Sequence, residues 1–116
     1  MYKMYINGKC VEGAGDKLDV TCPATGELLE TITTASIQQA DEALEAAQAA
    51  FHDWARLSLN ERIGWMMKLK DACLAEKDEI VDLMAKEGGK SRKEAANDFN
   101  AFIGYFGFYA EEAKRV

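Results

Sequence analysis

Residues 36–62, SIQQADEALEAAQAAFHDWARLSLNER, decide the local fold of the chain. Ser36 followed by Gln39 has the spacing of a capping box, which marks the start of a helix. Small and apolar residues then recur with the period of one helical face. They are Ala40, Ala43, Leu44, Ala47, Ala50, Phe51 and Trp54. A second capping box, Ser58 with Glu61, predicts a new helix almost at once, so the stretch is interpreted as a helical hairpin.

The residues before this stretch predict a small β unit over residues 1–34. Asn7-Gly8 between two short strand-like runs is typical of a type I′ turn. Leu18 and Val20 alternate with polar neighbours, which predicts a third strand. After the turn at Pro23 a fourth strand is predicted over about residues 27–33. The β unit is therefore expected to contain two antiparallel hairpins.

Two more helices are predicted after the helical hairpin. The first runs from about residue 76 to 87 and ends at Gly88-Gly89. A third capping box, Ser91 with Glu94, begins the long last helix. The expected buried side of the third helix carries Ile80, Leu83 and Met84. The predicted fold class is therefore α+β, with a small antiparallel β unit followed by four helices, and residues 1–116 are expected to form one unit without a linker.

The last helix is apolar around most of its circumference. Its main apolar positions alternate at intervals of four and three: Ala95, Phe99, Phe102, Phe106, Tyr109 and Ala113. Ile103, Tyr105 and Phe108 lie outside that line. A helix of this kind is expected to be buried on several sides. Two explanations stay open: either further sequence or a partner chain covers the helix, or the β unit does.

Composition limits the classes of function. The chain has 116 residues, 48% of them hydrophobic and 29% charged, which is typical of one globular domain. The formal net charge of −6 argues against a nucleic-acid partner, because no basic stripe could neutralise phosphates. No apolar run approaches the roughly 18 residues of a membrane span. Three scattered cysteines argue against a disulfide framework, so a reducing cytoplasm is expected.

The sequence contains one partial phosphate-binding motif and no evident catalytic set. Gly88-Gly89-Lys90-Ser91 resembles the end of a phosphate loop, but the earlier glycine of that motif is replaced by Met84 and a helix precedes it. A helix stop followed by a serine cap explains the same residues. No histidine and cysteine cluster has metal-ligand spacing, because His52 is the only histidine. We expect no metal site.

Each cysteine has a structural interpretation. A nucleophilic thiolate needs a base, a cation or a helix amino end nearby. Cys73 follows apolar residues on the second helix, Cys10 lies in an expected hairpin strand, and Cys22 precedes Pro23. None is predicted to be a nucleophile, so no catalytic residue is assigned.

Four stretches resemble the amino-terminal part of the NAD(P)-dependent aldehyde dehydrogenases. The most specific is AFHDWARLSLNER at residues 50–62, which follows the pattern Ala-Phe-x-x-Trp and then Glu-Arg. YINGK at residues 5–9, CPATGE at 22–27 and EGGK at 87–90 agree in order. The chain departs from the family at Cys22, where asparagine is common, and at Gly88 and Ser91, where threonine and proline are common. Glu-Gly-Gly-Lys occurs in relatives that act on small hydroxyaldehydes such as lactaldehyde.

The resemblance implies the fold and the activity. It places residues 1–34 in a leading β unit and residues 35–116 in an incomplete helical part of an α/β cofactor-binding domain. Members of this family oxidise aldehydes with a cysteine thiolate and NAD or NADP, and they have an oligomerisation arm. The nucleophile, the base and the cofactor loops all belong beyond Val116, so the resemblance assigns none of them here. The counterpart of the last helix helps to line the aldehyde tunnel in some relatives, which makes Ala101 and Tyr105 candidates for the tunnel lining; plain core is the favoured interpretation of both.

Three hypotheses follow. The first is that the chain is the amino-terminal part of an aldehyde dehydrogenase, inactive alone and partnered by the remainder of the enzyme. The second is a free-standing helical module that self-associates or docks through its last helix, which carries Phe99, Phe102, Phe106 and Tyr109. The third, a complete small enzyme, is disfavoured because no nucleophile, base or metal set is apparent.

Overall fold

The computed structural model of the chain describes residues 3–115. Within that range four strands come first and four helices follow. The strands are β1 (Met4–Ile6), β2 (Lys9–Val11), β3 (Lys17–Thr21) and β4 (Leu28–Thr33). The helices are α1 (Ile37–Arg56), α2 (Leu59–Ala75), α3 (Lys77–Gly88) and α4 (Arg92–Glu112). The predicted α+β class is confirmed, with each helix starting within a residue or two of its predicted position.

The first hairpin forms as predicted. β1 and β2 pair antiparallel with Tyr5 opposite Cys10. The turn between them places Asn7 at φ 50° and Gly8 at φ 77°, and positive φ at both central residues is the signature of a type I′ turn. Asparagine and glycine tolerate this backbone better than other residues, so the Asn-Gly pair determines where the chain reverses.

The second hairpin pairs β3 with β4, with Leu18 opposite Ile32. The Thr31 hydroxyl donates to a carboxylate oxygen of Asp19 across the strands at 2.6 Å. The loop before β3 runs against the end of β4, where a Cβ on Gly13 would lie 2.1 Å from the Thr33 carbonyl oxygen. Only glycine fits such a close backbone approach. The prediction of two antiparallel hairpins is confirmed.

Gln39 joins the start of α1 to the loop before β3. Its Oε1 accepts from the backbone N–H groups of Ser36 (3.1 Å) and Ala14 (2.9 Å), while its Nε2 donates to the Glu12 carbonyl (2.8 Å). The Gln39 backbone N–H donates to the Ser36 hydroxyl oxygen at 3.2 Å, which completes the predicted capping box. One side chain therefore caps the helix and fixes the loop.

The apolar face of α1 is exposed. No residue of α1 is buried, and Leu44, Phe51 and Trp54 all remain largely accessible. The helical period was predicted correctly, because the helix spans the stretch in which the apolar residues recur. Periodicity identifies the face that would be buried, but it does not supply the elements that cover it.

The other two capping boxes are also confirmed. Ser58 and Ser91 each accept from the backbone N–H of the glutamate three residues later. Glu61 and Glu94 accept in return from the serine hydroxyl, at 2.7 and 2.8 Å, and from the serine backbone N–H. These bonds, the serine hydroxyl first and the backbone N–H second, hold the pKa of each glutamate below its ordinary value.

The helical core forms where α3 packs against α4. Its fully buried members are Val81, Ala95 and Phe99, with exposed fractions of 2%, 0% and 0%. Ile80, Met84 and Ile103 pack around them and are partly buried. Val81 was not among the residues predicted to be buried on α3, although its neighbours on that side were.

The buried side of α4 differs from the predicted one. Phe99 is buried as expected, but Phe102 and Tyr109 are 42% and 57% exposed, whereas Ile103 is half-buried and Ala110 is buried. Residues four positions apart lie on nearly the same side of a helix, and the residues of α4 that face α3 are those at positions 95, 99 and 103. Because the middle of α4 is apolar nearly all round, its sequence could not show which of two adjacent sides of the helix is buried.

The chain forms two compact units. The first contains the residues up to Thr21 together with Glu27–Arg56, and the second contains Cys22–Gly26 together with the residues from Leu57 onward. In the second unit the turn at residues 22–26 lies against the end of α3. The predicted single unit, divided between residues 34 and 35, stays a prediction.

Candidate functional site

Four exposed rings lie close together along α4. Phe102, Tyr105, Phe108 and Tyr109 keep between 42% and 58% of their surface accessible. We call these four residues the aromatic surface of α4. An exposed apolar patch of this kind usually marks a place where another molecule or another part of a protein binds.

The rings contact each other in edge and tilted arrangements. Phe108 meets Tyr109 edge-on with centroids 5.2 Å apart, and Tyr105 lies 6.3 Å from Tyr109. Phe102 packs edge-on against the half-buried Phe106 at 5.2 Å. These separations are typical of favourable aromatic pairs, so the rings support one another and present a pre-ordered surface.

A shallow cleft of about 150 Å³ opens between α2 and α4 beside this surface. Met66 of α2 forms one wall, and the remaining walls are Phe102, Tyr105, Phe106 and Tyr109. None of the described residues that line the cleft is charged, and its surface is almost wholly apolar. The cleft is therefore suited to an apolar group.

The two tunnel candidates have different surroundings. Tyr105 lines the cleft, whereas Ala101, one turn earlier on α4, does not. Both side chains are exposed, so neither is part of a core within the described range. Their role in a tunnel stays a prediction. Met66 was missed because its position became meaningful only once α2 packed beside α4, and no motif in the sequence marks that contact.

The Gly88–Ser91 segment is a helix stop followed by a helix cap. Gly89 adopts a left-handed backbone at φ 60°, and the Ala85 carbonyl accepts from the N–H groups of Gly89 and Lys90. Lys90 pairs with Asp98 at 2.6 Å. The glycine and serine thus have structural partners, and the lysine ammonium already has a counter-ion.

The glycines with positive φ in the described range do not form a Rossmann-type turn. A dinucleotide site of the Rossmann type uses a glycine-rich turn between a parallel strand and a helix. From residue 3 to residue 115 the glycines with positive φ are Gly8, Gly26 and Gly89, and the first two lie in turns between antiparallel strands while the third ends a helix. None of the three therefore forms a turn of that type.

The residues singled out for chemistry lie on separate elements of the structure. Cys10 is exposed on β2, Cys73 is half-buried on α2, and Cys22 is buried just before Pro23. His52 is exposed on α1 and its ring meets Phe51 edge-on at 5.6 Å. Over residues 3–115 no group of three or more His, Cys, Asp and Glu side chains is arranged to hold a metal ion. None of α1 to α4, the helices of that range, combines the length and apolarity needed to cross a membrane.

Comparison with known proteins identifies one family. Residues 10–116 match the sequence model of the aldehyde dehydrogenase family. The mitochondrial succinate-semialdehyde dehydrogenase of Oryza sativa is 34% identical over 96% of this chain. The NADP(+) succinate-semialdehyde dehydrogenase of Saccharomyces cerevisiae is 30% identical over 97% of it.

Solved structures agree with the sequence comparison. Lactaldehyde dehydrogenase from Escherichia coli superposes with a TM-score of 0.91 over 99% of this chain, at 32% identity. Succinate-semialdehyde dehydrogenase from Burkholderia pseudomallei superposes with a TM-score of 0.90 over all of it, at 30% identity.

The matched proteins are much longer than this chain. The chain spans 21% and 22% of the rice and yeast relatives and 24% of each of the two solved structures. It corresponds to the amino-terminal segment of its longer relatives. The match of residues 10–116, together with the shared fold, shows that the chain belongs to the aldehyde dehydrogenase family.

Proposed function

We propose that this chain is the amino-terminal part of an NAD(P)-dependent aldehyde dehydrogenase that oxidises an aldehyde to a carboxylic acid, and that the part alone is inactive. The observation that carries the proposal is the match of residues 10–116 to the family over only about a fifth of its relatives' length. Residues 35–116 then belong to the helical part of the cofactor-binding domain.

The described residues support the proposed inactivity. An aldehyde dehydrogenase needs an activated thiolate and a bound dinucleotide. Cys10, Cys22 and Cys73 lie on separate elements, and the ordered glycines form turns and a helix end with no phosphate cradle. NAD or NADP is accordingly proposed to bind the longer enzyme and not this chain.

The cleft between α2 and α4 is proposed to contribute to the aldehyde tunnel of the longer enzyme. Tyr105 would face the aldehyde, and Ala101 would lie at the rim. The support is the apolar lining of the cleft, to which Tyr105 contributes. A small hydroxyaldehyde is proposed in preference to a carboxylate-bearing aldehyde, because Glu-Gly-Gly-Lys at residues 87–90 resembles relatives that act on such aldehydes and none of the described residues that line this cleft is a cation.

The names of two sequence relatives support a competing substrate, succinate semialdehyde. Both are succinate-semialdehyde dehydrogenases, and the solved structure of the Escherichia coli relative is a lactaldehyde dehydrogenase. A chimera separates the two substrates. This chain replaces the corresponding segment of the Escherichia coli enzyme, and NAD(P)H formation is followed with lactaldehyde and with succinate semialdehyde.

The isolated 116-residue chain is assayed in parallel. We expect no turnover by the chain alone, turnover by the chimera, and a preference of the chimera for lactaldehyde. Aldehyde-dependent NAD(P)H formation by the isolated chain would refute its inactivity. A chimera that folds but oxidises neither aldehyde would refute the proposed contribution to catalysis.

The second candidate function is self-association through α4. It is favoured by the exposed aromatic surface, although Phe99 cannot take part because it is buried in the core. Light scattering on the isolated chain tests it, and one defined oligomer would favour this candidate. A cytoplasmic location is also proposed, on the basis of three scattered cysteines, and cell fractionation with an antibody against the segment tests it.

A further inference from the structure

We infer that Asn7 is a site of spontaneous covalent modification, at which the side-chain amide is lost and aspartate or isoaspartate forms. Only the first hairpin is involved, and the modification does not depend on the proposed function. Asn7-Gly8 is the only Asn-Gly pair of the chain, and the fold leaves both residues open to the reaction.

The reaction joins the Asn7 side chain to the main chain of the next residue. The Gly8 backbone N–H gives its proton to hydroxide, and its nitrogen bonds to Cγ of Asn7 to close a five-membered imide ring. The Cγ–Nδ2 bond breaks, and Nδ2 takes a proton from water and leaves as ammonia. Water then opens the ring, giving aspartate if the bond from nitrogen to Cγ breaks and isoaspartate if the bond to the Asn7 main-chain carbonyl carbon breaks. Nothing is oxidised or reduced, and water is the only co-reactant.

The reacting groups are accessible in the folded chain. Asn7 and Gly8 are both exposed, and Asn7 lines two open clefts between the first hairpin and α1, of about 520 and 320 Å³. A Cβ on Gly8 would meet only the Tyr5 hydroxyl oxygen, at 3.9 Å, so the approach to the Gly8 nitrogen is unobstructed. Among residues 3–115 no hydrogen bond holds the Asn7 amide or the Gly8 N–H.

The first hairpin can open far enough for the ring to close. Formation of the imide requires the Asn7 main chain to rotate away from the ψ of a type I′ turn. β1 and β2 pair over only three residues each, and no residue of either strand is buried. Because so short a two-stranded hairpin is marginally stable, the turn opens locally and Asn7 becomes free to rotate.

The other asparagines are protected by their helices. Asn60 lies in α2, and Asn97 and Asn100 lie in α4. The residues that follow them are Glu, Asp and Ala, whose Cβ atoms crowd the nitrogen that would have to attack. Within a helix that N–H donates to the carbonyl four residues back, and near the start of α2 the Glu61 N–H donates to the Ser58 hydroxyl oxygen at 3.3 Å. Modification is therefore expected at residue 7 first.

The two products have different effects on the first hairpin. Aspartate tolerates positive φ, so it preserves the type I′ turn. Isoaspartate carries the main chain through Cγ and lengthens the turn by one atom, so Tyr5 and Cys10 can no longer pair in their present register. Isoaspartate at residue 7 is therefore expected to open the first hairpin.

Mass spectrometry of the 116-residue chain, incubated in mildly alkaline buffer and then digested with trypsin, tests the inference. Cleavage after Lys3 and Lys9 isolates residues 4–9, which contain Asn7 and no other asparagine. We expect this peptide to gain about 1 Da at least about tenfold faster than the peptides that contain the helical asparagines. Methylation by an isoaspartyl methyltransferase identifies the isoaspartate product. Asn7→Gly tolerates the same turn but has no side-chain amide, and it is expected to abolish the gain in mass.

Hydrogen exchange provides the second measurement, and Asn7→Asp is its matched control. The variant carries the same added charge as the modified chain, on a main chain of unaltered length. We expect the amide hydrogens of residues 4–11 to exchange at least about fivefold faster in the isoaspartate-containing chain than in the variant.

Three results would contradict the inference or its consequence. An Asn7 that stays intact in the folded chain but reacts in the urea-unfolded chain would show that the turn protects it, and would overturn the inference. Equal rates at all four asparagines would also overturn it, because the fold would then not select the site. Equal hydrogen exchange in the isoaspartate-containing chain and in Asn7→Asp would refute the opening of the hairpin. None of these results depends on whether the chain or its chimera oxidises an aldehyde.

Discussion

Gly89 and Ala24 approach so closely that a single added methyl group would contact the backbone. A Cβ on Gly89 would lie 3.0 Å from the Ala24 nitrogen and 3.1 Å from the Pro23 Cβ. Gly89 also has φ 60°, a conformation that residues with a Cβ adopt at a cost. The end of α3 and the turn at residues 22–26 therefore require glycine at this position for two separate reasons.

Gly89→Ala is expected to destabilise the chain by about 2 kcal/mol or more, because left-handed strain and the contact with Ala24 add together. Gly88→Ala is the matched control. Gly88 is the last residue of α3, and its Cβ would meet only the flexible side chain of Lys90. The effect on the free energy of unfolding is therefore expected to stay within about 0.5 kcal/mol. Urea unfolding measures both. Equal losses for the two variants would contradict the role given to Gly89.

Phe99→Ala is expected to cost about 3–5 kcal/mol, because Phe99 has no exposed surface and its removal leaves a cavity between α3 and α4. Phe108→Ala deletes the same ring from an exposed position of the same helix. It is expected to cost less than about 1 kcal/mol in the isolated chain. The two free energies of unfolding decide which side of α4 forms the core, and a larger loss for Phe108→Ala would contradict the assignment.

Gly104→Ala is expected to stabilise the isolated chain by about 0.5–1 kcal/mol, because the helix interior gains a better helix former and the new methyl group meets nothing within 4 Å. Thermal melting followed by circular dichroism measures the change. Gly64→Ala is the comparison on α2, where the added Cβ would likewise be unobstructed. A destabilised Gly104→Ala chain would indicate a contact at this site that the described structure does not contain.

The capping glutamates predict how stability depends on pH. The pKa of Glu94 lies below its ordinary value of 4.5 in the folded chain, because the Ser91 hydroxyl and backbone N–H donate to the ionised carboxylate. The stability that this group adds is therefore fully present above pH 4.5 and is lost as the pH falls through the lower, folded pKa.

Glu94→Gln isolates that contribution, since the amide can still accept a hydrogen bond but does not titrate. The unaltered chain is expected to unfold at higher urea than the variant at pH 7, and the two midpoints are expected to converge at a second, acidic pH below the lowered pKa of Glu94. Glu61→Gln is expected to behave in the same way at the start of α2. A difference between variant and unaltered chain that is the same at both pH values would refute the linkage.

The parts of the fold that could be predicted from sequence are those held by local contacts. The three capping boxes each join residues three positions apart, and the Asn7-Gly8 turn needs only its own two residues. Such signals do not depend on how the other elements of the chain pack. They located the starts of α1, α2 and α4 and the first hairpin.

The parts that could not be predicted depend on which element lies opposite. The pattern of α4 contains apolar residues on almost every side, so burial of Phe99 and exposure of Phe102 became distinguishable only after α3 had packed. The cleft beside Tyr105 likewise exists because Met66 of α2 lies across from it. No spacing within one helix encodes a contact between two helices.

The path of the chain through its two compact units has a consequence for the order of folding. Residues 22–26 belong to the helical unit, although the strands on either side of them belong to the first unit. The helical unit is therefore built from two separate parts of the chain, residues 22–26 and the residues from Leu57 onward. During synthesis the turn at Pro23 leaves the ribosome before Gly89, the residue against which it packs in the folded chain. A long loop must close before α3 acquires its final neighbour, so docking of that turn is expected to be a late event in folding.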